Sequence, residues 1–205
     1  MTDRFDIEAK TDGDPAKDTK DQMRLMMQSL LAERFKLNAR YETKEVPVFA
    51  MTLAKPGKMG PQLRQHPEGA ECSTAVSTET NLAGVATVDG GYPGTCGGFT
   101  GLVPSRPGRL RVGARNVTMD FIGKHLLSEF LHRPIIDRTG MSGTFDIVME
   151  FVPEQNGVPN PDSQALDAGP TFLQALSEQV GLKAESTKGP AQVLVISHIE
   201  HPSEN

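Results

Sequence analysis

The chain has no tryptophan and only two tyrosines among 205 residues, so broad aromatic platforms for stacking on sugars or bases are confined to a few phenylalanines. It also lacks any run near the roughly 18 to 20 apolar residues that a helix needs to cross a membrane. Excess positive charge is missing as well: the formal net charge is −5, against the clustered basic surface that a phosphate-backbone binder requires. Nucleic acid is therefore not an expected partner. The opening MTDRFDIEAK has neither the basic start nor the apolar centre of a signal peptide. If the protein is exported, its signal must lie upstream.

Several catalytic signatures are absent too. A nucleophile elbow needs Gly-x-Ser-x-Gly on a strand-to-helix turn, whereas Gly140-Met141-Ser142-Gly143 misses the spacing and leads into a strand. No serine is followed three residues later by lysine. Phosphate-binding and dinucleotide glycine motifs do not occur. The expectation is a protein that is not an enzyme and carries no cofactor.

With 37% hydrophobic and 23% charged residues, the composition is that of a folded globular chain. Phe5, Ile7 and Ala9 alternate with polar residues as in a half-buried strand. Thr19-Lys20-Asp21-Gln22 forms a capping box, and behind it Met23, Met26, Met27, Leu30, Leu31 and Phe35 recur at helical spacing. Such a stripe predicts a face packed in a core, although methionines also suit a soft, adaptable binding groove. Residues 37–41 and 46–50 then alternate as two strands around a turn at Lys44.

From 56 to 107 periodicity dissolves into Gly, Pro, Ser and Thr, too long for an ordinary connection. This segment holds both cysteines, Cys72 and Cys96. In an oxidising compartment they form one disulfide, a closure that stabilises by roughly 3 kcal/mol in the chain-entropy account. In a reducing compartment they remain thiols.

Order returns at Gly108. Leu110, Val112 and Ala114 alternate as a strand, and Thr118 caps a helix to about His132, ahead of Pro134. Ile135–Ile136 and Phe145–Phe151 follow as strands. Thr171 to Gln174 is a second capping box, and Gly181 suits a left-handed helix end. Residues 183–186 and 192–199 close the chain as a hairpin around Thr187-Lys188-Gly189-Pro190. The prediction is an α+β fold: repeated helix–strand–strand units, helices packed on antiparallel or mixed sheets, in two lobes (1–55 and 108–205) around the Gly-rich excursion 56–107, all within one structural domain.

MRLMMQSLLAERFKL, YETKEVPVFAMTLAK, IIDRTGMSGTFDI and VGLKAESTKGPAQVLVISHIEHPSEN resemble a soil-associated bacterial family of unknown function, expanded in acidobacteria. The resemblance spans nearly the whole chain outside the Gly-rich middle. It implies an extracytoplasmic location (periplasmic, surface or secreted), a further N-terminal portion behind a signal peptide, and in some members attachment to membrane-bound sensor peptidases. It brings no known activity and no catalytic residues. Residues 108 to 201 are also similar to the short N-terminal domains of secretins and TonB-dependent receptors. That likeness implies a module that binds a protein or envelope component.

Three constellations remain as candidate sites. His125, Glu129 and His132, spaced by four and three, share a helical face that could hold the metal of a hydrolase. The apolar residues Ile122, Leu126, Leu127 and Phe130 centre elsewhere, which leaves that face in solvent. His66 with Cys72 and Cys96 offers zinc-type ligands at a spacing that fits no standard pattern. Arg109 and Arg111, two apart on a strand, point to one sheet face, where they grip a carboxylate or an anionic glycan of a small-ligand sensor, or simply face solvent.

Overall fold

The structure, a computed structural model, describes residues 7–8, 20–72, 87–88, 90–155, 158–159 and 169–202. In chain order the elements are α1 (Lys20–Arg34), β1 (Asn38–Leu53), β2 (Leu63–Gln65), β3 (Thr87–Val88), β4 (Tyr92–Pro93), β5 (Phe99–Leu102) and β6 (Leu110–Val117). Then come α2 (Met119–Ile122), a π-helical turn Gly123–Leu127, α3 (Ser128–Leu131), β7 (Ile135–Asp137) and β8 (Phe145–Phe151). The short strands β9 (Glu154–Gln155) and β10 (Val158–Pro159) precede α4 (Phe172–Ala175), a second π-helical turn Leu176–Val180, and β11 (Leu182–His198). The fold is α+β, as the sequence predicts.

The chain divides into two compact units: Met1–Lys44 with Gln192–Asn205, and Glu45–Ala191. The compositional boundaries at 55/56 and 107/108 both fall inside the second unit. The reason is that the Gly-rich segment is used as structure. Its strands β2 and β5 are the two outer strands of a four-stranded antiparallel sheet ordered β2-β8-β6-β5. A three-stranded sheet is ordered β11-β1-β7, with β1 and β7 parallel, and β3 with β4 and β9 with β10 form two antiparallel pairs.

Strand β8 sets the layering by the two-residue alternation of strands. Phe145, Ile147, Met149 and Phe151 enter the main core with Met51, Ile122, Leu127, Leu176 and Leu182. Asp146, Val148 and Glu150 point to the opposite face, where Tyr92 and Leu102 cover Val148.

Both capped helices form as their sequences require. Thr118 accepts the Phe121 N–H through its hydroxyl, and Thr171 and Gln174 make the reciprocal capping box. Each helix then widens by one residue. Ser128 donates to the carbonyl of Gly123 and Gly181 to that of Leu176, both five residues back. Gly181 ends the second helix at φ +75°. The carbonyls of Gln179, Val180 and Gly181 accept from the backbone N–H groups of Gln62, Gly60 and Ala54. The start of the Gly-rich segment therefore satisfies the end of this helix.

Two expected hairpins are each one continuous strand. The turn expected at Lys44 is absent: β1 runs on through it. The turn expected at Gly189-Pro190 is likewise absent. Gly189 is buried against Ile136 and Val48, where a side chain would not fit. Thus α1 and α4 are each followed by one long strand where two were expected. Of the strand expected at 5–9, only Ile7 and Glu8 are among the described residues, and neither is in a strand. Thr19 lies outside the described residues.

Candidate functional site

The outer face of the four-stranded sheet is organised by one carboxylate. Asp146, with 0% exposure, sits on the central strand β8 between β2 and β6. Arg64 stands directly opposite on β2 and donates from Nε to Asp146 Oδ2 at 3.1 Å. His66 Nδ1 lies 2.6 Å from Oδ1. Arg115 Nε is 3.8 Å from Oδ2, close enough for charge but not for a hydrogen bond. On β6 a bulge between Ala114 and Val117 turns Asn116 to φ +54°, and its N–H reaches Oδ1 at 3.2 Å. The bulge is what lets two consecutive residues, Arg115 and Asn116, address the same carboxylate.

The excursion is pinned over this face. Cys72 and Cys96 form a disulfide. Arg115 spans the chain on both sides of it, donating to the carbonyls of Gly94 (3.3 Å) and Glu71 (3.5 Å). The Arg64 guanidinium lies 4.2 Å from the centre of the Tyr92 ring. Burial raises the Tyr92 phenol above its ordinary value, against the opposing pull of Arg64.

A cavity of about 260 Å³ lies further along the same face, lined by Gln62, Ser105, Arg111, Val148, Glu150 and Gln179. Here the two candidate arginines part ways. Arg109 is engaged with Glu150 at 3.3 Å. Arg111 stands opposite Glu150 in register and reaches the Val103 carbonyl at 3.5 Å. The two side chains thus hold different partners. The Gln179 side-chain amide accepts the Glu150 N–H and donates to the Glu150 carbonyl, standing in for a neighbouring strand.

Burial pushes the Glu150 carboxyl upward, but the hydroxyl and amide of Ser105 and the Arg109 guanidinium outweigh it and hold it below the usual value. The folded value is depressed. Its stabilisation is therefore present above the unfolded carboxylate range near about 4.3 and is lost as pH falls through the folded value. In acid unfolding, the stability of the wild type is expected to fall more steeply below about pH 4 than that of Glu150→Gln. Identical slopes would contradict the assignment.

The proposed His125, Glu129 and His132 ligands do not converge. Among the described residues, the one group of at least three His, Cys, Asp or Glu ligand atoms close enough for a metal is His66, Cys72 and Cys96. The cause is local: the π turn places His125 inside a widened segment, where its ring lies tilted against that of Phe121, centroids 4.2 Å apart. His132 leaves the helix at φ +51°.

The methionine stripe is the largest departure from expectation. Within the first unit, Leu30, Leu31 and Phe35 are half-buried, whereas Met23, Met26 and Met27 are exposed. Met23 is 53% exposed, and Leu25, on the other side of the helix, 63%. Tyr41 on β1 and Leu194 and Ile196 on β11 are exposed in the same unit, at 66%, 55% and 54%. The stripe marks a helix surface, and only its C-terminal end is covered.

A family model described as a protein of unknown function (DUF3738) matches residues 1–199. The chain belongs to that family. Its matched range takes in the whole second unit, the first unit up to residue 199, and every site residue described above. No curated protein and no solved structure matches the chain. No helix among the described residues is long and apolar enough to cross a membrane.

Proposed function

We propose that this DUF3738 protein is a non-catalytic, exported interaction module that recognises a protein or another envelope component. The observation that carries the reading is the uncovered apolar face of α1, where Met23, Met26 and Met27 are all exposed; Leu25 on the helix's other side, and Tyr41, Leu194 and Ile196 on strands of the same unit, are exposed as well. Scattered apolar residues on a surface are ordinary, but three at spacings of three and four along one helix face are suited to a partner. Methionine suits it, since an unbranched, polarisable side chain adapts to its partner. The similarity of residues 108 to 201 to secretin and TonB-receptor short domains supports binding over turnover. The disulfide supports an oxidising, extracytoplasmic compartment.

The test is a double charge substitution, Met23→Asp with Met27→Asp, four residues apart on that face. Because both positions are exposed, stability is expected to change by less than about 1 kcal/mol in total. A protein or lipid retained from the envelope fraction of producing cells by the wild type is expected to be lost. Unchanged retention at unchanged stability would refute the reading, as would turnover dependent on a single side chain.

A second reading, a small-ligand or glycan sensor, is favoured by the cavity beside Arg111. It predicts that small anions raise the melting temperature of the wild type but not of Arg111→Glu.

A further inference from the structure

The second unit carries a group of side chains that the interaction reading does not use. The ligand atoms of His66, Cys72 and Cys96 all lie within 4.8 Å of one another, and the His66 side chain is only 8% exposed. We propose that the disulfide is the closed form of a cation site, and that the reduced cysteines with His66 bind one Zn²⁺-like ion.

Three features of the surroundings make this a built site. First, His66 is already oriented. Its Nδ1 is held by Asp146 Oδ1, which leaves Nε2 to ligate, the carboxylate–histidine–metal arrangement that fixes tautomer and ring direction. Arg64 and Arg115 are ion-paired to the other oxygen, Oδ2, so they do not compete for Oδ1. Second, both cysteines are held by more than their own bond. Arg115 ties the carbonyls of Glu71 and Gly94, one and two residues from Cys72 and Cys96, and its own carbonyl accepts the Gly97 N–H at 2.9 Å. Breaking the disulfide leaves those ties in place. Third, the Cα atoms are 5.5 Å apart, so side-chain rotation alone lets the sulfurs part to bracket an ion.

The chemistry selects the ion class. Two thiolates and an imidazole suit Zn²⁺ and its spectroscopic substitute Co²⁺, with metal–sulfur bonds of about 2.3 Å and metal–nitrogen bonds of about 2.0 Å. Ca²⁺ and Mg²⁺ need oxygen ligands, and Asp146, the carboxylate that holds His66, is already engaged with Arg64 and His66. Three protein ligands leave a fourth position for solvent or a ligand. In the opening step a dithiol gives two electrons and two protons to the sulfur–sulfur bond and leaves as its own disulfide. A phosphine does the same with water and leaves as the phosphine oxide. In the binding step the ion displaces the two thiol protons to solvent.

The test is a Co²⁺ titration of the full chain with and without a phosphine reductant, followed by absorption. With reductant, sulfur-to-cobalt charge-transfer and tetrahedral ligand-field bands are expected to saturate at one equivalent and to vanish on adding Zn²⁺. Without reductant they are expected to be absent. His66→Ala, shown folded by its circular dichroism, is expected to bind at least about tenfold more weakly. A reduced wild type without charge-transfer absorption would overturn the proposal without recourse to any variant. A titration that His66→Ala leaves unchanged would overturn it equally.

Discussion

Replacing Asp146 by alanine is expected to destabilise the second unit by about 3–5 kcal/mol, the usual cost of removing one partner from a buried ion pair. At this chain length that lowers the melting temperature by about 6–20 °C. The size follows from what is left behind. Arg115, 4% exposed, would keep its charge without a counter-ion, the His66 ring would lose its Nδ1 partner, and the Asn116 N–H would lose its acceptor. Asp146→Asn keeps an acceptor of the same shape and is expected to cost less. Substituting Arg64, which is one-third exposed and can turn to solvent, is expected to cost less again. Thermal or urea unfolding of the three variants checks the order. A loss below about 1 kcal/mol for Asp146→Ala would show that the network is not what holds this face together.

The second large effect concerns the disulfide. Joining Cys72 to Cys96 closes a sequence separation of 24 residues, which stabilises by roughly 3 kcal/mol in the chain-entropy account. The double variant Cys72→Ser with Cys96→Ser is expected to melt about 6–12 °C below the oxidised wild type. Reductant should bring the wild type, in metal-free buffer, down to the same level and leave the variant unmoved. If reductant lowers both proteins equally, its effect does not run through this bond. If neither the variant nor reductant lowers the melt, the Arg115 ties alone hold the segment.

These expectations rest on features of unequal legibility. The two threonine-capped helices, the left-handed end at Gly181 and the alternating strand Phe145–Phe151 were readable because each is set by contacts only a few residues apart. The continuous β1 and β11 were not readable. A charged stretch such as Glu42-Thr43-Lys44-Glu45 fits a turn as well as a ribbon, and pairing across the whole chain decides between them. The Gly-rich segment failed for the same reason. Leu63 and Phe99–Leu102 become strands through ladders to β8 and β6, not through any periodicity of their own. Asp146 carried one faint signal: it and Glu150 are acidic residues inside the otherwise apolar run Phe145 to Phe151, and an acidic residue needs partners when buried. Those partners, Arg64, His66, Arg115 and Asn116, come from β6, from β2 and from the residue that follows β2. The π turns, finally, shift helix faces by one residue without any sequence mark, and so dissolved the His125–Glu129–His132 stripe.

Met23, Met26 and Met27 show the opposite limit. Their spacing correctly marks a helix, but spacing cannot say whether an apolar face is covered by the chain itself or kept for a partner. That distinction is the centre of the functional account. The most direct measurement places a photo-crosslinking residue at Met23, at Ile196 or at Lys183, an exposed polar position of the second unit, in cells that make the protein. The account predicts discrete, reproducible adducts from positions 23 and 196, none from 183, and their loss when Met27→Asp is added to the position-23 probe. Adducts of the same pattern at all three positions, or none at 23 and 196, would contradict it.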